Sequence, residues 1–150
     1  MSWYCERVSA SYIYIHMILL NKNSSNKVIL TLSESVTIVS PSFFLFEFIS
    51  DDNLESIFFT AEDVSTNTCR YNEFVITLTD GATDNTIGLI DLDLNGYYKY
   101  NVYQQSSQFN LNPSFAEGLI ENGKVYVKGE LKPVTVSYNT NQNNTYITYE

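Results

Sequence analysis

The chain has 150 residues, which suits one domain with its own core and is too short for two of ordinary size. Apolar residues make up 44% and charged ones only 17%, which excludes a disordered chain, since disorder goes with low hydrophobicity and high charge. Eight basic against 17 acidic residues leave a formal charge of −9, which argues against nucleic acid, because phosphate contacts need clustered Lys and Arg.

Residues 1–16 hold the single Trp, the single His and Cys5, and end at a second methionine, Met17. They read as a flexible N-terminal arm or a translated upstream leader, dispensable for folding, ahead of a single domain over residues 17–150. The apolar run 12–20 is too short to span a bilayer, which takes roughly 17–25 residues, and no small-x-small cleavage site follows it.

From Met17 onward the dominant signal has period two. Val28, Leu30 and Leu32 recur at every second position with Thr31 between the last two, and Phe74, Ile76 and Leu78 alternate with Glu73, Val75, Thr77 and Thr79, as expected of half-buried strands. Short runs rich in β-branched or aromatic residues predict further strands at 36–39, 43–49, 57–61, 87–93, 97–103, 124–128, 134–138 and 145–149. Within 43–49 only Glu47 interrupts an apolar sequence, as expected of a central strand covered on both faces. The segment 88–103 predicts a hairpin with a three-residue loop, Leu94-Asn95-Gly96, which pairs Leu92 with Tyr98, Ile90 with Tyr100 and Asp91 with Lys99. A second hairpin is expected at an Asn122-Gly123 turn, with Glu121 facing Lys124 and Ile120 facing Val125. One helical turn is expected after Asn112, with Pro113 in first position and Gly118 as the stop. About ten short strands without crossover helices predict an all-β fold, an antiparallel β-sandwich of immunoglobulin-like or jelly-roll-like type.

The sequence offers little for catalysis. His16 is the only histidine, so a Ser-His-Asp or Cys-His arrangement is not expected. Zinc would need several converging His, Cys or carboxylate ligands, and Cys5 and Cys69 sit in no metal-ligand spacing. Asp91-x-Asp93-x-Asn95-Gly96 matches the opening of a calcium loop, but Val102 stands where its bidentate Glu belongs. Glu47 is the acid whose apolar setting would suit a general acid, although pointing to solvent or to a cross-strand partner is the simpler reading. The expectation is a non-enzyme with no catalytic residue, no metal site and no cofactor. Twelve Tyr and nine Phe are the distinctive feature, because exposed aromatics supply contact area at low entropic cost. Tyr97, Tyr103, Tyr126, Tyr138, Tyr146 and Tyr149 form a candidate exposed stripe, and Phe43, Phe46, Tyr97, Tyr103 and Tyr126 are the expected interaction surface.

The succession MILLNKN, VILTLSE, FLFEFISDD, TNTCRYNEFVITLTD, LNGYYKYNVYQQSS, NLNP, IENGKVYVKGE and NNTYITY, over nearly all of residues 17–150, resembles a family of small virion-associated proteins of tailed bacteriophages, including crAss-like phages. The resemblance implies a structural component of the virion, an auxiliary capsid or other head- or tail-associated β protein, and carries over no functional residues. Its expected partners are other virion proteins or further copies of itself as a homo-oligomer, with no nucleic acid and no membrane span. Two other readings compete. One is a carbohydrate-binding or host-surface adhesion module that takes glycans on exposed tyrosines; the other is a hydrolase built on Glu47.

Overall fold

A computed structural model describes residues 17–38 and 42–129. The expectations for the arm 1–16, for Val39, for strands at 134–138 and 145–149, and for Tyr138, Tyr146 and Tyr149 lie outside the described residues. Within them the chain is all-β. Eight strands form two sheets, and the helical content is limited to two three-residue 3-10 turns, Leu32–Glu34 and Pro113–Phe115.

The strands are β1 (Met17–Asn21), β2 (Ser24–Leu30), β3 (Phe43–Ser50), β4 (Ser56–Thr60), β5 (Asn72–Leu78), β6 (Leu89–Ile90), β7 (Gly96–Gln105) and β8 (Gly118–Lys128). A five-stranded sheet has the order β1-β8-β7-β3-β4, and a three-stranded sheet has the order β2-β5-β6. The pairings are antiparallel except at β1 with β8 and β5 with β6.

Alternation decides which side chains meet between the layers. Phe44, Phe46 and Phe48 of β3, with Tyr98, Tyr100 and Val102 of β7, point inward against Val28 and Leu30 of β2 and Phe74, Ile76 and Leu78 of β5. The phenylalanines form a connected set. Phe46 stacks on Phe59 at 5.2 Å and meets Phe74 edge-on at 4.9 Å, while Phe48 meets Phe59 edge-on at 4.9 Å. Such pairs add about 0.5–1.5 kcal/mol each beyond the area they bury. As the Phe-rich run predicts, β3 is an interior strand buried on both faces.

Polar side chains hold the places where the chain changes sheet. Between β1 and β2 the backbone turns at Asn23, with a φ of 52°. The buried Asn26 closes this corner: its Oδ1 accepts from the Asn21 amide at 2.8 Å, and its Nδ2 donates to the carbonyls of Asn21, Ser24 and Ile76. After β2, Asn72 receives the amides of Leu32 and Ser33 at 2.9 and 3.1 Å.

Several predicted elements are corrected. Residues 36–38 form no strand, because the buried Gln104 ties Thr37 down through both its amide and its hydroxyl, at 2.8 and 2.6 Å. The Asn95-Gly96 hairpin does not exist: β6 joins β5 in the small sheet, whereas β7 joins β3 and β8 in the large one. Leu92, Ile90, Tyr98 and Tyr100 do share one environment, but they reach it from opposite layers. Matching apolar character was therefore satisfied by packing between sheets, with no pairing within one. Nor does the chain reverse at Asn122-Gly123, since β8 runs straight through. Gly123 lies across from Tyr100 and presents no side chain to it, and the Tyr100 hydroxyl donates to Glu121 Oε1 at 2.8 Å. Around Asn112 the cap and Pro113 are as expected, with Asn112 Oδ1 accepting from the Ser114 amide, but the turn ends at Phe115, ahead of Gly118.

Gly88 marks the entry to β6 with a φ of +74°, and a Cβ there would stand 3.0 Å from the Val75 carbonyl and 3.2 Å from the Ala61 Cβ. Gly88→Ala is expected to destabilise the fold by about 1–3 kcal/mol, the usual strain of a side chain in left-handed backbone. Urea unfolding measures it. An unchanged midpoint would mean that this backbone turn is wrongly placed.

Candidate interaction surface

The outward face of the five-stranded sheet follows from register. Leu19, Tyr126 and Tyr97 form one row across β1, β8 and β7, and Met17, Lys124, Lys99 and Ile49 form the next. Beyond these come Asn122, Asn101, Glu47 and Phe58, and then Leu119, Tyr103, Leu45 and Thr60. Towards β3 and β4 this face is covered, with Leu45 and Thr60 buried; over β1, β8 and the start of β7 it meets water, where a sheet face ordinarily alternates to polar residues. Here Met17 and Leu19 are each 58% exposed and Tyr97 is 53% exposed, with the Tyr97 and Tyr126 rings 5.0 Å apart. Adjacent exposed apolar side chains of this kind mark recognition surfaces more often than isolated ones do.

Among the residues expected to form the surface, the structure brings Phe43, Tyr97, Tyr103 and Tyr126 to this face, with Phe43, Tyr103 and Tyr126 half-buried. Phe46 is a correction: it is fully buried in the core. Phe43 and Phe46 are three residues apart on one strand, and an odd separation puts them on opposite faces. Met17 and Leu19 were missed. Their signal was the alternation of Met17 and Leu19 with Ile18 and Leu20, hidden because all four are apolar.

Glu47 is 9% exposed on this outward face. Its Oε2 accepts two hydrogen bonds, from Asn101 Nδ2 and from the Tyr103 hydroxyl, both at 2.8 Å. Burial, followed by the bond to Glu47, pushes the Tyr103 phenol above its ordinary pKa and keeps it protonated as the donor. Asn101 and Phe58 flank Glu47 directly on β7 and β4, and Tyr103 lies diagonally beside it. Among the described residues this face also carries Lys99 and an exposed pair, Lys124 with Asp51 at 3.1 Å, a class that contributes at most about 1 kcal/mol.

At one end of the sandwich a cleft of about 440 Å³ is lined by Glu55, Asp91, Asp93, Asn53 and Tyr98 among others. The Tyr98 hydroxyl donates to the Leu94 carbonyl at 2.7 Å, and burial, with Asp93, Asp52 and Asp91 nearby, raises its pKa. Among the described residues no group of three or more His, Cys, Asp or Glu is arranged to hold a metal ion. No described helix is long and apolar enough to cross a membrane.

Fold and face together define a small two-sheet β-sandwich with a partly apolar, aromatic outer surface. No protein-family profile matches the chain, and no curated protein matches it. Among solved structures the chain is similar to a candidate glycoside hydrolase from Bacteroides vulgatus ATCC 8482, at 10% identity and a TM-score of 0.40, over 75% of this chain and 16% of that one. It is also similar to the extracellular domain of the voltage-gated sodium channel β4 subunit, described as a parallel homodimer in cell-cell adhesion, at 11% identity and a TM-score of 0.31, over 81% of this chain and 96% of that one. The chain thus spans about a sixth of the first of these proteins.

Proposed function

We propose that this protein is a non-enzymatic structural component of a phage virion, an auxiliary capsid or head- or tail-associated protein that docks on a larger protein lattice through the outward face of its five-stranded sheet. One observation carries the docking: Leu19, Tyr97 and Tyr126 form a row of adjacent apolar and aromatic side chains on a sheet face that water would otherwise make polar. The virion setting rests on the resemblance of residues 17–150 to tailed-phage proteins. The net charge of −9 fits a protein kept soluble in many copies before assembly.

The test is co-sedimentation with assembled particles of the source phage. A Leu19→Ser, Tyr97→Ser, Tyr126→Ser triple variant should keep its circular dichroism and lose at least about tenfold in particle association, since buried aromatics dominate such interfaces. Undiminished association of a folded triple variant would refute docking through this face. The tilted Tyr97–Tyr126 pair favours a second reading, stacking of a host glycan. Saturable binding of the wild type on a glycan array, lost in the same variant, would move the assignment to that reading.

A further inference from the structure

We infer that Glu47, with Asn101, Tyr103 and Phe58, forms a socket on the outward sheet face for an arginine side chain presented by the protein on which the sheet docks. The inference rests on the docking reading above and names the chemistry of its partner. Glu47 is nine-tenths buried, yet no Lys or Arg among the described residues lies within 4 Å of its carboxylate. A carboxylate so far removed from water needs compensation by hydrogen bonds or a cation. Its Oε2 has two donors, whereas Oε1 receives no hydrogen bond from the described residues. Tyr103 and Asn101 thus fix the carboxylate in place and leave Oε1 without a donor among the described residues.

The surroundings select the cation. Phe58 stands directly across from Glu47 on β4 and Tyr103 lies diagonally on β7, so an incoming guanidinium meets a carboxylate edge with aromatic rings beside it. A planar, weakly hydrated guanidinium suits that combination better than an ammonium does. Lys99 is on the same face one row away and forms no ion pair with Glu47. A second copy of this chain is a poor donor, because two bodies of charge −9 repel. Charge complementarity therefore favours a different protein, with a basic side chain projecting from its docking surface.

The experiment uses the full chain and a defined probe. N-acetyl-arginine amide, titrated while the side-chain amide of Asn101 is followed by NMR, should give a saturable shift in the ~10 mM range expected of one small group. N-acetyl-citrulline amide, neutral and of the same shape, should give none, and Glu47→Gln should abolish the arginine response. On particles, Glu47→Gln should weaken association by about thirty-fold or more, the lower end of what truncating one partner of a buried charge pair costs. Equal shifts from both probes would overturn the socket. So would particle association that survives Glu47→Gln but is lost in the Leu19, Tyr97, Tyr126 variant, a result that leaves the docking face standing. Concentration-dependent self-association removed by Glu47→Gln would overturn the choice of a different protein and assign the socket to a second copy.

Discussion

Phe46→Ala will unfold the protein more easily by about 3–5 kcal/mol, the usual cost of removing a fully buried phenylalanine when its surroundings relax only partly. Phe46 is wholly inaccessible, stacks on Phe59 and meets Phe74 edge-on, so its loss removes contacts to both sheets at once. Phe43→Ala, three residues away on the outward face and half-buried, should cost under about half as much, because less area returns to water. Guanidinium unfolding of the two variants side by side measures the difference. Equal losses would mean that β3 is out of register by one residue, since a single-residue slip exchanges its two faces.

Asn72→Ala will cost about 2–4 kcal/mol even though it deletes few atoms. Asn72 is 2% exposed; its Oδ1 accepts from the amides of Leu32 and Ser33 and from the Ser33 hydroxyl, while its Nδ2 donates to Asp63 at 2.6 Å. Alanine strands these groups, and each buried polar group left without a partner costs about 1–3 kcal/mol. The same contact sets the response to acid. Burial alone would raise the Asp63 pKa, but the hydrogen bonds from Asn72 and from the Ser65 and Glu73 amides outweigh it and hold the group below its ordinary value of 3.8. A depressed folded pKa contributes stability that is fully present above the unfolded value and is lost as pH falls through the folded one. The wild type should therefore weaken on acidification below about pH 4. Asn72→Asp reverses the trend by placing a second carboxylate against Asp63, and it should gain stability between pH 7 and 5 as one of the pair takes up a proton. Unfolding midpoints across that range decide it, and parallel curves for the two proteins would contradict the Asp63–Asn72 contact.

The candidate surface was partly legible. Tyr97, Tyr103 and Tyr126 could be placed outward because each alternates with a core residue, Tyr98, Val102 or Val125. The Glu47 socket was half visible. A lone acid in an apolar strand stands out, but its partners Asn101 and Tyr103 come from a strand more than fifty residues later. Only pairing of β3 with β7 in the observed register brings them to it.

Period-two alternation by itself determined that the chain is built of strands, which side of β2, β5 and β7 turns inward, and that two layers share one core, because backbone geometry sends successive side chains to opposite faces wherever a strand forms. In β3 both faces are apolar, so its inward side was not legible and Phe46 was misplaced. Tertiary structure alone decided which strands are neighbours. Ile90 opposite Tyr100 satisfies the same apolar demand whether the two pair in one sheet or face each other across the core, and local sequence does not distinguish these arrangements. Asn95-Gly96 and Asn122-Gly123 carry the same turn-forming pair, yet one ends the crossing from β6 to β7 between layers and the other lies within a strand. The difference arises from long-range partners, β3 and β8 for β7 and Tyr100 for Gly123, whose packing outweighs the modest preference of a dipeptide for a turn.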